Sequence, residues 1–195
     1  MSKLVSHDIW ETNPFSCGEE NHPRVENPGV VEEMDIKAFR HYFEYHFSEN
    51  RNLWDKLITG LSDEQFTREA DYSHGSIRSQ LVHLMSVDDT WFRGLQGRDI
   101  PEPLGPKDFP DRETLRRHWD GIEQNMRTYL ANLHDRDLVK NPLEGEDKDL
   151  TTWQVLLQVV NHGTDHRAQI LRLLQDMGVK TTSQDYIFFA YDHPQ

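Results

Sequence analysis

The run Asn161-His162-Gly163-Thr164-Asp165-His166-Arg167 sets two histidines four residues apart inside a long helical pattern. Four residues turn about 400° of helix, so both imidazoles leave one face roughly a turn apart. Held in this way, they supply half of a tetrahedral metal site at little cost in chain entropy. A third ligand must come from another element. His83, between Val82 and Leu84 on the shoulder of another apolar stripe, is the best-placed histidine. His7, His22 and His193 lie in terminal segments, and His74 and His134 at loop or helix boundaries. His41, His46 and His118 are helical but have no second histidine at four-residue spacing.

Helical zinc proteases use H-E-x-x-H, in which the glutamate is the general base. Here Gly163 follows the first histidine and cannot accept a proton, which argues against that chemistry. Two charged residues occupy positions that the helical pattern reserves for apolar ones. Asp88 lies within the stripe of its helix, and Arg167 within the apolar arc of the His162 helix. An isolated buried charge is very costly. Asp88 and Arg167 are therefore expected to pair across their two helices, as a structural rather than catalytic pair. Gln169, three residues after His166, is expected to orient a ligand or bound water. Asp165 points about 100° away from His166 and reads as a solvated surface acid.

These residues need a frame, and four amphipathic blocks provide one. The first, about 35–60, places Ile36, Phe39, Phe43, Phe47, Asn50, Leu53, Trp54 and Leu57 at three-four spacing. The second, about 76–96, has Ser76 as its N-cap and Ile77, Leu81, Leu84, Met85, Phe92 and Leu95 as its stripe. The third follows a Pro- and Gly-rich loop, with Asp111 as N-cap and an apolar face running from Leu115 to Leu133. The fourth opens on a capping box, Thr151 with Gln154, and runs to Met177. In this last block Leu156, Val159, Val160, Gly163, Ile170, Leu171 and Leu174 share one arc, with His162 and His166 at its border. Ligands placed there can face a crevice between helices while one side stays open to solvent.

The expected fold class is all-α, a four-helix bundle with an N-terminal arm over 1–34 and a C-terminal tail packed on the bundle. Tyr186-Ile187-Phe188-Phe189 is the tail segment expected to pack. The bundle domain is expected to span 35–195. Trp54, Trp91, Trp119 and Trp153 read as core, with Trp91 a candidate pocket wall.

Net charge is −13, which repels phosphate backbones, and the basic runs are short, so nucleic acid is not an expected partner. No stretch approaches the ~20 apolar residues of a membrane span, and the opening residues do not read as a secretory leader. The single cysteine, Cys17, fits a reducing compartment, and no cationic neighbour marks it as a nucleophile. A cytoplasmic location is expected.

His83-Leu-Met-Ser-Val-Asp88-Asp-Thr-Trp91, followed by His162-x3-His166-Arg167-x-Gln169, resembles the DinB-like (damage-inducible) metalloprotein superfamily. Leu61-Ser62-Asp63-Glu64-Gln65 also matches that family's pattern, and the resemblance covers about residues 36–190. One departure is the tryptophan often found just before Asn50, where this chain has Phe47 and Ser48. The resemblance implies a four-helix bundle with His83, His162 and His166 as ligands of a divalent metal. Zinc is the default ion, with nickel or iron as alternatives. Three neutral imidazoles leave a fourth position for water or substrate. The resemblance further implies a metal-dependent enzyme acting on a small-molecule electrophile, either a transferase using a low-molecular-weight thiol such as bacillithiol or mycothiol, or a metal-water hydrolase. It also favours a homodimer. The alternative is a non-catalytic metal-binding stress-response bundle.

Overall fold

The computed structural model describes residues 35–194; the arm over 1–34, with Cys17, His7 and His22, lies outside the described residues. The described residues form seven α-helices and no strand. Four are long: α1 (Ile36–Leu53), α3 (Ile77–Leu95), α4 (Arg112–Asn132) and α6 (Thr152–Asp176). Three are short: α2 (Asp63–Thr67), α5 (Asp135–Leu138) and α7 (Tyr186–Asp192).

Each long helix starts where a side chain satisfies its orphan amides. Ser76 Oγ accepts from the Ser79 amide at 3.2 Å, and Asp111 Oδ1 accepts from the Thr114 amide at 2.7 Å. At α6 the Gln154 carbonyl accepts from the Thr151 amide at 2.8 Å. The first block differs from its expected continuous helix. Its α-helix ends at Leu53 and one wider π turn, Trp54–Ile58, completes it. Trp54 and Ile58 both point inward, and Trp54 meets Trp119 edge to face at 6.0 Å.

The four apolar stripes close on one another. α6 packs against α1 and α3, and α4 completes the ring against the same two helices. Phe43, Phe47, Leu81, Leu84, Met85, Leu115, Met126, Leu156, Val159 and Ile170 fill the centre. Burial of these side chains at ~25 cal/mol per Å² of apolar surface drives assembly. Trp91 is buried in this core. The C-terminal tail packs through one residue in particular. Phe189 is buried against Tyr45 and His41, while Ile187 and Phe188 are 48% and 55% exposed. A seven-residue helix on the surface can turn only one of its sides inward. Among the described residues no helix is long and apolar enough to cross a membrane.

Candidate metal centre

Four histidines meet at the junction of α3 and α6. His83 lies in the second turn of α3; His162 and His166 follow one another along α6. The Nε2 atoms of His83 and His162 are 3.2 Å apart. Ligand nitrogens around a tetrahedral zinc with Zn–N of about 2.0–2.1 Å stand roughly 3.3 Å from each other, so this separation suits one edge of such a site. The His166 ring centroid is 4.5 Å from that of His83 and 4.3 Å from that of His162.

His74 joins the group, although by sequence alone it reads as a loop-boundary residue. It stacks on His83 at 3.7 Å between centroids, with the rings 19° from parallel. One nitrogen each of His74, His83 and His166 lie within 4.8 Å of one another. Its visible signal was local: His74-Gly75 immediately precedes the Ser76 cap of the helix that carries His83.

The rings are held in their neutral form. Burial first, and the neighbouring histidines second, hold His162 down at about 2 and His83 at about 3. Burial also lowers His74, and lowers His166 together with His74 beside it. Metal binding requires the unprotonated imidazole, and near neutral pH protons do not compete for these nitrogens. Gln80, fully buried on α3, places its Oε1 3.3 Å from His166 Nδ1. A carbonyl oxygen only accepts, so Nδ1 carries the hydrogen and Nε2 keeps its lone pair for a ligand bond. Nδ1 of His162 is buried without a hydrogen-bond partner among the described residues.

Beneath the histidines lies a buried polar chain. Asp88 and Arg167 are each 1% exposed, as burial on both apolar faces required, but they do not pair directly. His46 of α1 stands between them, with Nε2 3.2 Å from Asp88 Oδ2 and Nδ1 3.2 Å from Arg167 Nη1. The guanidinium only donates, so Nδ1 of His46 accepts from it, while Nε2 faces both Asp88 Oδ2 and the Asn50 side-chain amide nitrogen, the latter at 3.1 Å. Arg167 also donates to Asn50 Oδ1 at 2.9 Å, Gln184 Oε1 at 2.9 Å and Thr164 Oγ1 at 3.1 Å. Burial pushes its pKa below the usual arginine range, and Tyr45, Glu49 and Asp88 oppose that shift. Sequence reasoning missed His46 because its role depends on a third helix that no spacing within α3 or α6 reveals.

Gln169 has no hydrogen bond to any of the four histidines among the described residues. Its side chain instead bonds to Ser73 Oγ, and its Nε2 donates to Asp165 Oδ2 at 2.9 Å. It therefore ties α6 to the turn that carries His74. Asp165 is exposed, as expected. Two surface clefts of about 440 Å³ each lie elsewhere, one beside Phe109 and His118, the other beside Trp54 and Arg116; neither is lined by any of the four histidines.

A model of the DinB family matches residues 34–195. The chain belongs to the DinB family. It is similar to "Protein DinB" of Bacillus subtilis (strain 168), 24% identical over 167 residues, covering 81% of this chain and 96% of that protein. A crystal structure of a DinB-like protein from Bacillus cereus ATCC 10987 has the same fold, with a TM-score of 0.59 and 17% identity over 77% of this chain and 98% of that one. In this DinB-family bundle, the histidine group and the helices that carry it all fall within the matched region. The group is compatible with a metal-binding protein.

Proposed function

We propose that this chain holds a divalent cation, zinc by default, through His83, His162 and His166, and uses it to transform a small electrophile. The observation that carries the reading is the 3.2 Å separation of the His83 and His162 Nε2 atoms, with His166 packed against both rings. When bound, such a cation supplies Lewis acidity that stabilises the anionic form of a thiol or of water. The reaction we favour joins a low-molecular-weight thiol to the electrophile; hydrolysis is the variant at the same site. His83 and His162 offer neutral nitrogens held so by burial. Gln80 keeps the correct nitrogen of His166 free. Asp88, His46 and Arg167 lock α1, α3 and α6 in register below the ligands. We place the protein in the cytoplasm, a reading supported by its single cysteine.

Elemental analysis of untagged protein should find about one divalent ion per chain. His162→Ala should lose it while the helical circular dichroism stays unchanged. Metal-loaded protein screened with thiol cofactors and electrophiles should then show turnover that His162→Ala lacks. Silence of every combination would remove the transferase and leave the second reading, a non-catalytic metal-binding bundle. One observation favours that second reading: His74 stacks on His83 and, with His83 and His166, forms a trio whose nitrogens lie within 4.8 Å of one another, His162 standing outside that trio.

A further inference from the structure

His74 differs from the other three histidines in how it is held. His83, His162 and His166 stand on long helices whose inner faces form the core. His74 stands between α2 and α3, in a turn with no helical ladder of its own. Its ring makes no hydrogen bond among the described residues, whereas His166 is oriented by buried Gln80.

The turn around it is shaped to aim the ring. Ser73 (φ 50) and Gly75 (φ 83) flank His74 in left-handed conformations, and the Gly75 amide closes the turn on the Tyr72 carbonyl at 3.0 Å. Gly75 also meets a close neighbour: a Cβ there would come within 2.5 Å of Glu69 Oε2. Non-glycine residues adopt such backbone angles only where the surroundings impose them. Here the imposing contact is the hydrogen bond from Ser73 to Gln169, whose amide is braced in turn by Asp165. Both bracing residues belong to the helix of His162 and His166, within three residues of His166. An exposed polar tether of this kind opens far more easily than a packed helix. The ring is therefore presented to the site by a latch rather than by the core.

We propose that His74 is a displaceable fourth ligand, which closes the coordination position left by the three helix-borne histidines and yields it to an incoming molecule. The proposal rests on the metal-binding reading above and assigns that site its gate. It also reconciles the two functional readings, since one chain then has a closed four-histidine state and an open three-histidine state. A neutral imidazole is exchanged for another neutral nitrogen ligand or for a thiol that loses its proton to solvent.

The test uses the full chain loaded with cobalt(II), whose visible absorption reports ligand number and type, and free imidazole as probe. His74→Ala is expected to bind one cobalt per chain with an altered spectrum. Added imidazole should restore the wild-type spectrum, binding at least ten-fold more tightly to His74→Ala than to wild type, where the internal ring competes. His74→Asn, which suits the same turn, should behave alike. Identical spectra and equal imidazole affinities in variant and wild type would overturn the proposal while leaving the metal site standing. Loss of cobalt from both His74 variants would overturn it too, by making His74 obligatory. If wild type itself takes up no cobalt, the metal-binding reading falls and the gate with it.

Discussion

The His46 ring lies directly against the backbone of Gly163: a Cβ at that position would come within 2.4 Å of its Cε1 and 2.7 Å of its Nδ1. Glycine inside a helix costs about 1 kcal/mol relative to alanine, so its place one residue after His162 needs a reason. The reason is the close approach of α1, which lets His46 reach both Asp88 and Arg167. Gly163→Ala would gain helix propensity and lose this contact. Overpacking costs about 1–3 kcal/mol, and His46 is fully buried with both nitrogens engaged, so it cannot yield cheaply. The variant is expected to be less stable by up to about 2 kcal/mol, the difference between these terms. Urea unfolding with an unchanged slope would show it; a midpoint at or above wild type would contradict the packing argument.

Arg167 neutralises a carboxylate it does not touch. Replacing it by methionine keeps much of the volume and leaves Asp88 buried with His46 as its neighbour. Removing one partner of a buried charged pair costs about 3–5 kcal/mol. Arg167→Lys should recover little of that, because one ammonium cannot serve Asn50, Gln184 and Thr164 in a fixed fork. Adding Asp88→Asn to Arg167→Met should restore about 0.5–3 kcal/mol, the range of coupling through a shared network. A double-mutant cycle that is simply additive would mean that His46 does not transmit the interaction.

The bundle could be read from the sequence because its cause is local. The three-four stripes, the Ser76 and Asp111 caps and the Thr151–Gln154 pair each bear on a few neighbouring residues. That His83 comes to face His162 was legible through the family pattern, while the wheel alone put both at the edge of apolar arcs. The remainder depended on distance across the fold. His46 and Arg167 are 121 residues apart in sequence, and helical periodicity gives the face of a residue but never its partner. For the same reason Asp88 and Arg167 were each correctly placed inside while the group between them was missed. His74 was hidden because its position follows from two left-handed residues and a tether to Gln169, and a turn's aim is not encoded in spacing.

Acid should destabilise the metal-free protein through the same rings that are proposed to hold the ion. His83 and His162 stay neutral in the folded state down to about 3 and about 2, whereas exposed histidines in the unfolded chain titrate near their ordinary 6.5. Above that value neither state binds the proton, and these groups add no pH dependence. Between it and the lowered folded values the unfolded chain binds more protons, so stability falls as pH falls. Each ring contributes at most about 1.4 kcal/mol per pH unit, less where solvent screens it. Denaturation of apo protein at pH 7.5, 6 and 5 should show progressive loss. His83→Asn should flatten the slope, and an unchanged slope would place the titrating groups elsewhere.

Gln80 offers a substitution whose effects on stability and on metal affinity should part company. Its Oε1 orients His166, but its Nε2 is buried without a hydrogen-bond partner among the described residues. Leucine has a similar volume and brings no orphaned donor into the core. Removing the unsatisfied amide recovers part of its desolvation cost, about 1–3 kcal/mol, and leaving the His166 Nδ1–H without its acceptor costs a similar amount. Apo Gln80→Leu should therefore unfold at about the same urea concentration as apo wild type. Metal affinity should fall by about 10–100-fold, because outer partners of ligating histidines fix ring orientation and tautomer. Calorimetric titration with zinc, run beside the unfolding curves, reads both quantities. If affinity and apo stability fell together, Gln80 would be a packing residue and His166 would need another source of orientation.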